Sequence, residues 1–153
     1  MPTKSKSQLA YEWALHYPED CEVMLDWITD STIALEWIQH WPEDREALLW
    51  TVANSKEAYL WGSKCPQDRE FMKHMVSDSE WAYKWARDIG DREFMRDRVT
   101  DPKWAYGWAL NFVNRDIMID RITNSQMAYM WGVYIGDRDI MRKRITEPKW
   151  IAR

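Results

Sequence analysis

Glycine and cysteine are scarce in this sequence, which has only 5 glycines and 2 cysteines among its 153 residues. Few glycines leave few turns that require a left-handed backbone. Two cysteines are too few for a disulfide-stabilised secreted scaffold, so we expect a reducing, cytoplasmic setting. No apolar run approaches the roughly 20 residues that a membrane span needs, and no signal peptide opens the chain. We therefore expect no membrane association.

A strong excess of one charge sign is also missing. The chain has 21 Lys and Arg against 25 Asp and Glu, a net charge of −4, which excludes a general basic coat for nucleic acid. The charge is nevertheless unevenly divided: residues 1–81 hold 7 basic and 15 acidic residues, whereas residues 82–153 hold 14 and 10. This polarity suits a bipolar partner, or head-to-tail or dimeric self-association.

Tryptophan, by contrast, is abundant, with 12 residues, and most of it belongs to an internal repeat. Ala-Tyr-x-Trp at 10–13 returns five times, once with Leu35 in place of the tyrosine, and the alanine spacings are 24, 24, 24, 23 and 23 residues. An Asp-Arg-Glu-like signature and then an Asp-Ser-like or Asp-Pro signature follow in each unit. Three signatures in register predict a single repeat domain over 1–153. Its repeats lie near 10–33, 34–57, 58–81, 82–104, 105–127 and 128–150, and a seventh begins at Trp150.

Each unit predicts two short helices. Asp or Asn followed by Ser or Pro, as in Asp101-Pro102, is typical of a helix start, and the spacing of Ile33, Ala34 and Trp37 gives one apolar helical face. The second helix begins at Asp-Arg-Glu, and its predicted apolar face includes the residues Phe94, Met95 and Val99, Phe71, Met72, Met75 and Val76, and Ile140, Met141 and Ile145. No stretch alternates like a strand, so the fold class is all-α. Short helix pairs must stack to bury these faces, which predicts a right-handed α-solenoid of six two-helix repeats plus a truncated seventh.

The recurring tryptophan explains how so small a unit could build a core. One large ring per repeat can fill the layer between two short helices. We expect buried rings at Trp13, Trp37, Trp61, Trp85, Trp108 and Trp131.

This pattern resembles the short α-hairpin solenoids. It is similar to the leucine-rich variant repeats, which are also about 24 residues long, in the run from Asp101-Pro102 to Thr123. It is equally similar to uncharacterised viral and bacterial α repeats of that length with an Asp-Arg-Glu-like second helix. Both resemblances imply a curved binding scaffold and no catalytic residue.

Arginines mark two columns of the repeat. The arginine of Asp-Arg-Glu recurs as Arg45, Arg69, Arg92, Arg115 and Arg138. It could bind phosphates or carboxylates as a ladder, or pair with acids of its own or a neighbouring unit. Another position on the second helix holds Trp27, Thr51 and Met75 in the first three units and Arg98, Arg121 and Arg144 in the last three. That row could bind an acidic partner, or its stems could pack while the guanidiniums stack on tryptophan rings.

Two further groups are candidates for a contact surface. Tyr83, Tyr106 and Tyr129 follow the core alanine and could seal repeat against repeat or line a groove. The outward positions Leu110, Met130 and Val133 are apolar where earlier units are polar, which is typical of a contact strip.

The sequence carries no motif for catalysis. It has no Gly-rich phosphate loop, no nucleophile motif and no close-spaced ligand pairs for zinc, so we expect no enzyme activity, no cofactor and no metal. The favoured hypothesis is a non-catalytic, protein-binding adaptor or inhibitor. A phage-type inhibitor of a host factor is an analogy from its size and repeat build. The alternative is nucleic-acid binding by the basic second half, through the Arg98, Arg121 and Arg144 row and the three tyrosines.

Overall fold

A computed structural model describes residues 3–112 and 115–151 of the chain. These residues form α-helices, 3₁₀ turns and no strand, so the predicted all-α class is confirmed. None of the helices in this described part combines the length and the apolar character that crossing a membrane requires. Asn114, which opens the fifth Asp-Arg-Glu-like signature, lies outside the described residues.

Short helices follow one another in six pairs, and a further helix begins after the last pair. The described α-helices are α1 (Lys6–His16), α2 (Cys21–Leu25), α3 (Ser31–His40), α4 (Arg45–Leu48), α5 (Ser55–Lys64), α6 (Arg69–Met72), α7 (Ser79–Asp88), α8 (Arg92–Arg96), α9 (Pro102–Asn111), α10 (Asp116–Ile119), α11 (Ser125–Tyr134), α12 (Arg138–Arg144) and α13 (Pro148–Ile151). The predicted repeat boundaries, set at the alanine of each signature, fall within the first helix of each pair.

The chain divides into two compact units, Met1–Val76 and Ser77–Arg153. In the first unit α1 packs on α3, and α3 packs on α5. In the second unit α7 packs on α9, α9 on α11 and α11 on α13. Within each unit, therefore, the first helix of one pair lies against the first helix of the next.

The predicted helix starts are confirmed by their side-chain caps. The Asp30 carboxylate accepts from the backbone N–H of Thr32 at 2.7 Å and of Ile33 at 3.2 Å. Asn54, Asp78, Asp101 and Asn124 cap the first helices of the later pairs in the same way. These oxygens satisfy N–H groups that have no partner within the helix.

A serine in the first turn of the first helix ties three of the pairs to the start of the next pair. Ser7 Oγ accepts from the backbone N–H of Thr29 at 3.0 Å and of Asp30 at 3.3 Å. Ser79 does the same with Thr100 and Asp101, and Ser125 with Thr146 and Glu147. The buried hydroxyl thus replaces water as the partner of two backbone donors at the entrance to the following helix.

The tryptophan core is confirmed at five of its six positions. Trp37, Trp61, Trp85, Trp108 and Trp131 are at most 2% exposed. Trp13 was predicted to be buried and is 48% exposed, so that prediction is wrong. The ring of Tyr11 lies 6.4 Å from that of Trp37 and covers it from the preceding pair, whereas no described helix pair precedes Trp13.

Each buried indole also needs a hydrogen-bond acceptor, and the first Asp of Asp-Arg-Glu provides it. Trp37 Nε1 donates to Asp44 at 2.8 Å, and Trp85 Nε1 donates to Asp91 at 3.0 Å. The same bond joins Trp13 to Asp20, Trp61 to Asp68 and Trp131 to Asp137. Trp108 Nε1 is buried with no acceptor among the described residues. The Asp therefore begins the second helix, as predicted, while its carboxylate holds the ring of the first.

Two turn types account for the change from 24 to 23 residues. In the first three pairs a 3₁₀ turn such as Pro42–Asp44 joins the helices. In the fourth and sixth pairs a glycine and the left-handed Asp replace it, with φ of 137° at Gly90 and 53° at Asp91. Glycine adopts this φ without a steric penalty, and Asp tolerates the left-handed region better than most residues. The shorter turn still brings Asp91 to the Trp85 indole.

One part of the predicted core of the second helices is wrong. Phe71 is 57% exposed, Ile140 is 45% exposed and Phe94 is half-buried. Met72, Met95 and Met141, one residue later in each unit, are at most 1% exposed. With so few residues, each second helix turns only a narrow stripe inward, and the Phe position lies at its edge.

We predict that Trp85→Ala lowers the free energy of unfolding by about 3–5 kcal/mol, because it deletes a fully buried large side chain. Trp13→Ala is the matched control, because the Trp13 ring donates to the equivalent aspartate, Asp20, but is half exposed. Its expected cost is about 1–2 kcal/mol. Urea unfolding measures both. Equal losses in the two variants would show that burial of the ring does not determine how much the recurring tryptophan contributes to the free energy of unfolding.

Asp68 is an indole acceptor that also pairs with an arginine. Its buried carboxylate accepts from Trp61 Nε1 at 2.9 Å and forms an ion pair with Arg45. We expect Asp68→Ala to cost about 3 kcal/mol, because two donors lose a charged acceptor. Asp20→Ala, at the exposed Trp13, should cost less than about 1 kcal/mol. Chemical denaturation of the two variants compares them directly, and a larger loss for Asp20→Ala would contradict the prediction.

Candidate partner-binding surface

The arginine row of the last three units is held by backbone carbonyls. Arg121 Nη1 donates to the carbonyl of Arg96, the last residue of α8 in the preceding pair, and at 2.8 Å to that of Val99, three residues later. Arg144 Nη1 donates in the same way to the carbonyl of Ile119, the last residue of α10, and at 3.3 Å to that of Ile122, three residues later. The last carbonyls of a helix lack internal donors and carry partial negative charge, so a guanidinium fits there.

Arg98 differs from its two successors. Its Nη1 donates to the carbonyl of Phe94 at 3.1 Å, and its guanidinium carbon lies 3.9 Å from the centre of the Phe94 ring. The stem-packing interpretation of the row is therefore favoured, with carbonyls and a phenylalanine ring in place of the tryptophan rings. The arginines also interrupt the apolar face of the second helices less than the sequence predicts, because Phe94, which Arg98 contacts, lies at the edge of that face.

The three tyrosines do not share one environment. Tyr83 is 6% exposed and Tyr106 is 9% exposed, whereas Tyr129 is half-buried. The Tyr83 hydroxyl accepts from Asn111 Nδ2 at 2.7 Å. Burial, and then the nearby Tyr134, raise the pKa of Tyr106 above its usual value. Tyr83 and Tyr106 thus fit the sealing interpretation, and Tyr129 is the tyrosine of the three that borders open space.

The apolar strip is exposed at two of its three positions. Leu110 is 51% exposed and Val133 is 56% exposed, whereas Met130 is half-buried. Leu110 lies near the end of α9 and Val133 near the end of α11, so the two belong to successive pairs of the second unit. Both are large apolar side chains in water, the feature that marks contact surfaces when several lie together.

An open groove of about 510 Å³ lies in the last helix pair, between α11, α12 and α13. From the predicted binding residues it brings together Tyr129, Val133 and Arg138 of the Asp-Arg-Glu column. The rest of its lining consists of Ala128, Gly132, Met141, Arg142, Ile145 and Trp150. The other predicted contact residues do not line this groove: Arg98, Arg121, Arg144, Leu110, Met130, Tyr83 and Tyr106. We call it the α11–α13 groove.

Sequence reasoning missed most of these lining residues because it ranked columns by unusual residue types. Ile145 belongs to an ordinary core column, whose other members Ile28, Val52, Val76, Val99 and Ile122 are at most 4% exposed. Ile145 is only half-buried. What distinguishes the two residues is their place in the array: Ile145 follows the last residue of α12, and Trp150 lies in α13, the next helix.

No group of three or more His, Cys, Asp or Glu side chains in residues 3–112 and 115–151 could hold a metal ion. Burial raises the pKa of the Cys65 thiol, with a further increase from Asp68, and thus disfavours the nucleophilic thiolate. The α11–α13 groove combines apolar walls with two arginines, an arrangement that can bind an apolar segment bearing carboxylates.

Comparison with known proteins adds no relative: neither protein-family models, nor curated proteins, nor solved structures match this chain. The resemblance to leucine-rich variant repeats or to viral and bacterial α repeats therefore stays a prediction.

We predict that Arg121→Ala lowers the melting temperature, with a loss of about 1–3 kcal/mol, because the carbonyls of Arg96 and Val99 lose a charged donor. Arg121→Met, which keeps an apolar stem, should recover only part of that loss. Arg142→Ala is the control, since its side chain is 71% exposed, and should change stability little. An unchanged melting temperature for Arg121→Ala would instead leave the row free to serve as a contact surface.

Proposed function

We propose that this chain is a non-catalytic, protein-binding repeat scaffold that acts as an adaptor or an inhibitor. The observation that carries the proposal is the α11–α13 groove, where exposed Val133 and half-buried Tyr129 and Ile145 meet two arginines. Protein interfaces combine such an apolar centre with a polar, solvent-accessible rim.

The scaffold of the proposal is a right-handed solenoid of six two-helix repeats with the beginning of a seventh. Recurrent contacts support it: the indole–Asp bond lies within the helix pair, and the serine bonds and the Arg121 and Arg144 bonds link neighbouring pairs. In such arrays the same interface is used again at each junction. A phage-type inhibitor of a host factor, acting in the cytoplasm, is the biological setting that fits a small chain of this build.

Nucleic-acid binding is the less favoured alternative. The guanidiniums of Arg121 and Arg144 bind carbonyls, and Tyr83 and Tyr106 are too buried to stack on bases. Other basic side chains of this half lie next to carboxylates. Lys84 Nζ, for example, is 2.8 Å from Oε1 of Glu80. Residues 77–153 hold 14 basic and 12 acidic residues, a small excess for a chain that must follow a phosphate backbone.

We expect Val133→Asp to weaken retention of a specific partner from a lysate of the native host at least about tenfold, because it places a charge in the apolar centre. Leu110→Asp is the matched control, since Leu110 is similarly exposed but lies outside the groove. Quantitative mass spectrometry of the retained proteins gives the readout.

A salt titration distinguishes protein binding from nucleic-acid binding. Protein binding through an apolar groove should change modestly between 50 and 200 mM salt, whereas several phosphate contacts would weaken binding by orders of magnitude. Retention of nucleic acid with such a steep slope, unaffected by Val133→Asp, would replace the proposed function with the alternative.

A further inference from the structure

The second helices of the first unit present an outward side that is exposed in all three pairs. It consists of the second, third and sixth residues after the Asp of each signature: Glu22, Val23 and Asp26, Glu46, Ala47 and Trp50, and Glu70, Phe71 and His74. Val23 is 60% exposed, Trp50 63% and Phe71 57%. We call these positions the outer face of the first unit. Exposed apolar side chains that lie together are typical of contact surfaces.

This exposure does not come from a place at either end of the repeat array. Trp50 belongs to the second pair and Phe71 to the third, so each has a helix pair before it and after it along the chain. Arg45 of the second pair forms an ion pair with Asp68 of the third, so the second helices of these pairs begin side by side. The two large rings therefore lie on adjoining helices of one unit.

The outer face carries four carboxylates and neither lysine nor arginine. Glu22, Asp26 and Glu46 form no hydrogen bond or ion pair with any other residue that the structure describes. Lys6 lines a shallow depression together with Asp26 but forms no ion pair with it. Residues 1–76 hold 7 basic and 13 acidic residues, so the unit as a whole attracts a cationic partner.

Two bases on the second helices of this unit already have carboxylate partners. Arg45 attracts Glu46 electrostatically but forms its ion pair with Asp68. Lys73 Nζ lies 2.9 Å from the Glu70 carboxylate. Neither cation is free to cover the remaining carboxylates of the outer face.

The corresponding positions of the second unit show which group covers such a face. The Arg98 guanidinium carbon lies 3.9 Å from the centre of the Phe94 ring, and Phe94 is the counterpart of Phe71. Arg121 Nη2 lies 4.0 Å from Oδ1 of Asp97. Arginine makes both contacts because its planar guanidinium stacks on aromatic rings and also pairs with carboxylates.

The first unit lacks these arginines. Their position holds Thr51 in the second pair and Met75 in the third. Phe94, with a guanidinium on its ring, is half-buried, whereas Phe71 is 57% exposed. The outer face thus has the ring and the carboxylates of an arginine site without an arginine of its own.

We propose that the outer face of the first unit binds an arginine-rich segment of a partner protein that also carries apolar side chains. The guanidiniums of that segment stack on Phe71 and Trp50 and pair with Glu22, Asp26 and Glu46. This surface belongs to the first unit, so it goes beyond the α11–α13 groove of the proposed function and does not depend on it.

The probe is a fluorescein-labelled synthetic peptide that repeats Arg-Leu-Ser four times. Fluorescence anisotropy measures its binding to the full 153-residue chain. We expect citrulline in place of the arginines to weaken binding at least about tenfold, because citrulline keeps the shape of arginine and loses its charge. Serine in place of the leucines should also weaken binding, because the apolar contacts are lost.

Three protein variants locate the site. Glu46→Lys replaces an attraction with a repulsion and Phe71→Ala removes a ring, and each should weaken peptide binding about tenfold. Met75→Arg supplies the guanidinium that the second unit uses. It should occupy the Phe71 ring from within the chain and weaken peptide binding to a similar extent.

Each variant has a control in the same unit. Glu36→Lys, Leu15→Ala and Gln39→Arg make comparable changes at exposed positions of the first helices. They should stay within about twofold of the unaltered chain, because these positions lie outside the outer face. Circular dichroism and thermal melting establish that all six variants are folded.

Three outcomes would overturn the assignment. Equal weakening by Glu46→Lys and Glu36→Lys would show a general attraction to an acidic chain, and equal binding of the citrulline peptide would exclude recognition of arginine. A concentration-dependent dimer, seen by light scattering, that Phe71→Ala abolishes would assign the face to a second copy of the chain.

The same peptide separates this surface from the α11–α13 groove. Val133→Asp should leave peptide binding within about twofold of the unaltered chain, because Val133 belongs to the other unit. If the peptide does not bind while capture from the lysate still depends on Val133, the proposed function stands and this surface is rejected.

Discussion

The hydrogen bond from the indole nitrogen of the recurring tryptophan to the Asp of Asp-Arg-Glu joins the two helices of a pair. In the third pair, Trp61 brings its ring to the centre of the layer, and Asp68 accepts its N–H from the start of the second helix. A ring this large buries about 150–250 Å² of surface, a large contribution from one side chain to a pair of short helices. It could not be buried cheaply without an acceptor. The spacing between Trp and Asp therefore constrains the turn in the five pairs where this bond is described, and both turn types satisfy it.

The all-α class, the helix starts and five of the six core tryptophans were predictable because each depends on a local rule. An Asp or Asn cap acts on the next few N–H groups, and an apolar stripe follows from 3.6 residues per turn. Trp13 escaped prediction because its burial depends on a neighbour that its own sequence does not specify. Phe71 escaped because a four-residue helix, Arg69–Met72, is too short for its periodicity to fix which edge faces inward.

The candidate site was predictable only in part, for a physical reason. Tyr129 and Val133 could be found because they are conspicuous in type, whereas Ile145 is an unremarkable core residue that becomes part of a groove through its place in the array. For Arg121 and Arg144 the reverse holds. They are conspicuous in the sequence as charges on an apolar helix face, but their guanidiniums donate to backbone carbonyls, which a pattern of side chains cannot reveal.

The serine that joins successive pairs has an unequal distribution with a consequence for local opening. Ser79 and Ser125 each accept two backbone N–H groups at the next helix start, but Pro102 occupies the corresponding position between them and has no hydroxyl to offer. The backbone N–H groups of Thr123 and Asn124, at the start of α11, therefore have no serine hydroxyl at this position to which they can donate. Local opening, which amide hydrogen exchange reports, occurs most readily where the backbone has the fewest hydrogen bonds. Proline thus sets a seam between α9 and α11, at which the second unit would begin to fray before its tryptophan core is exposed.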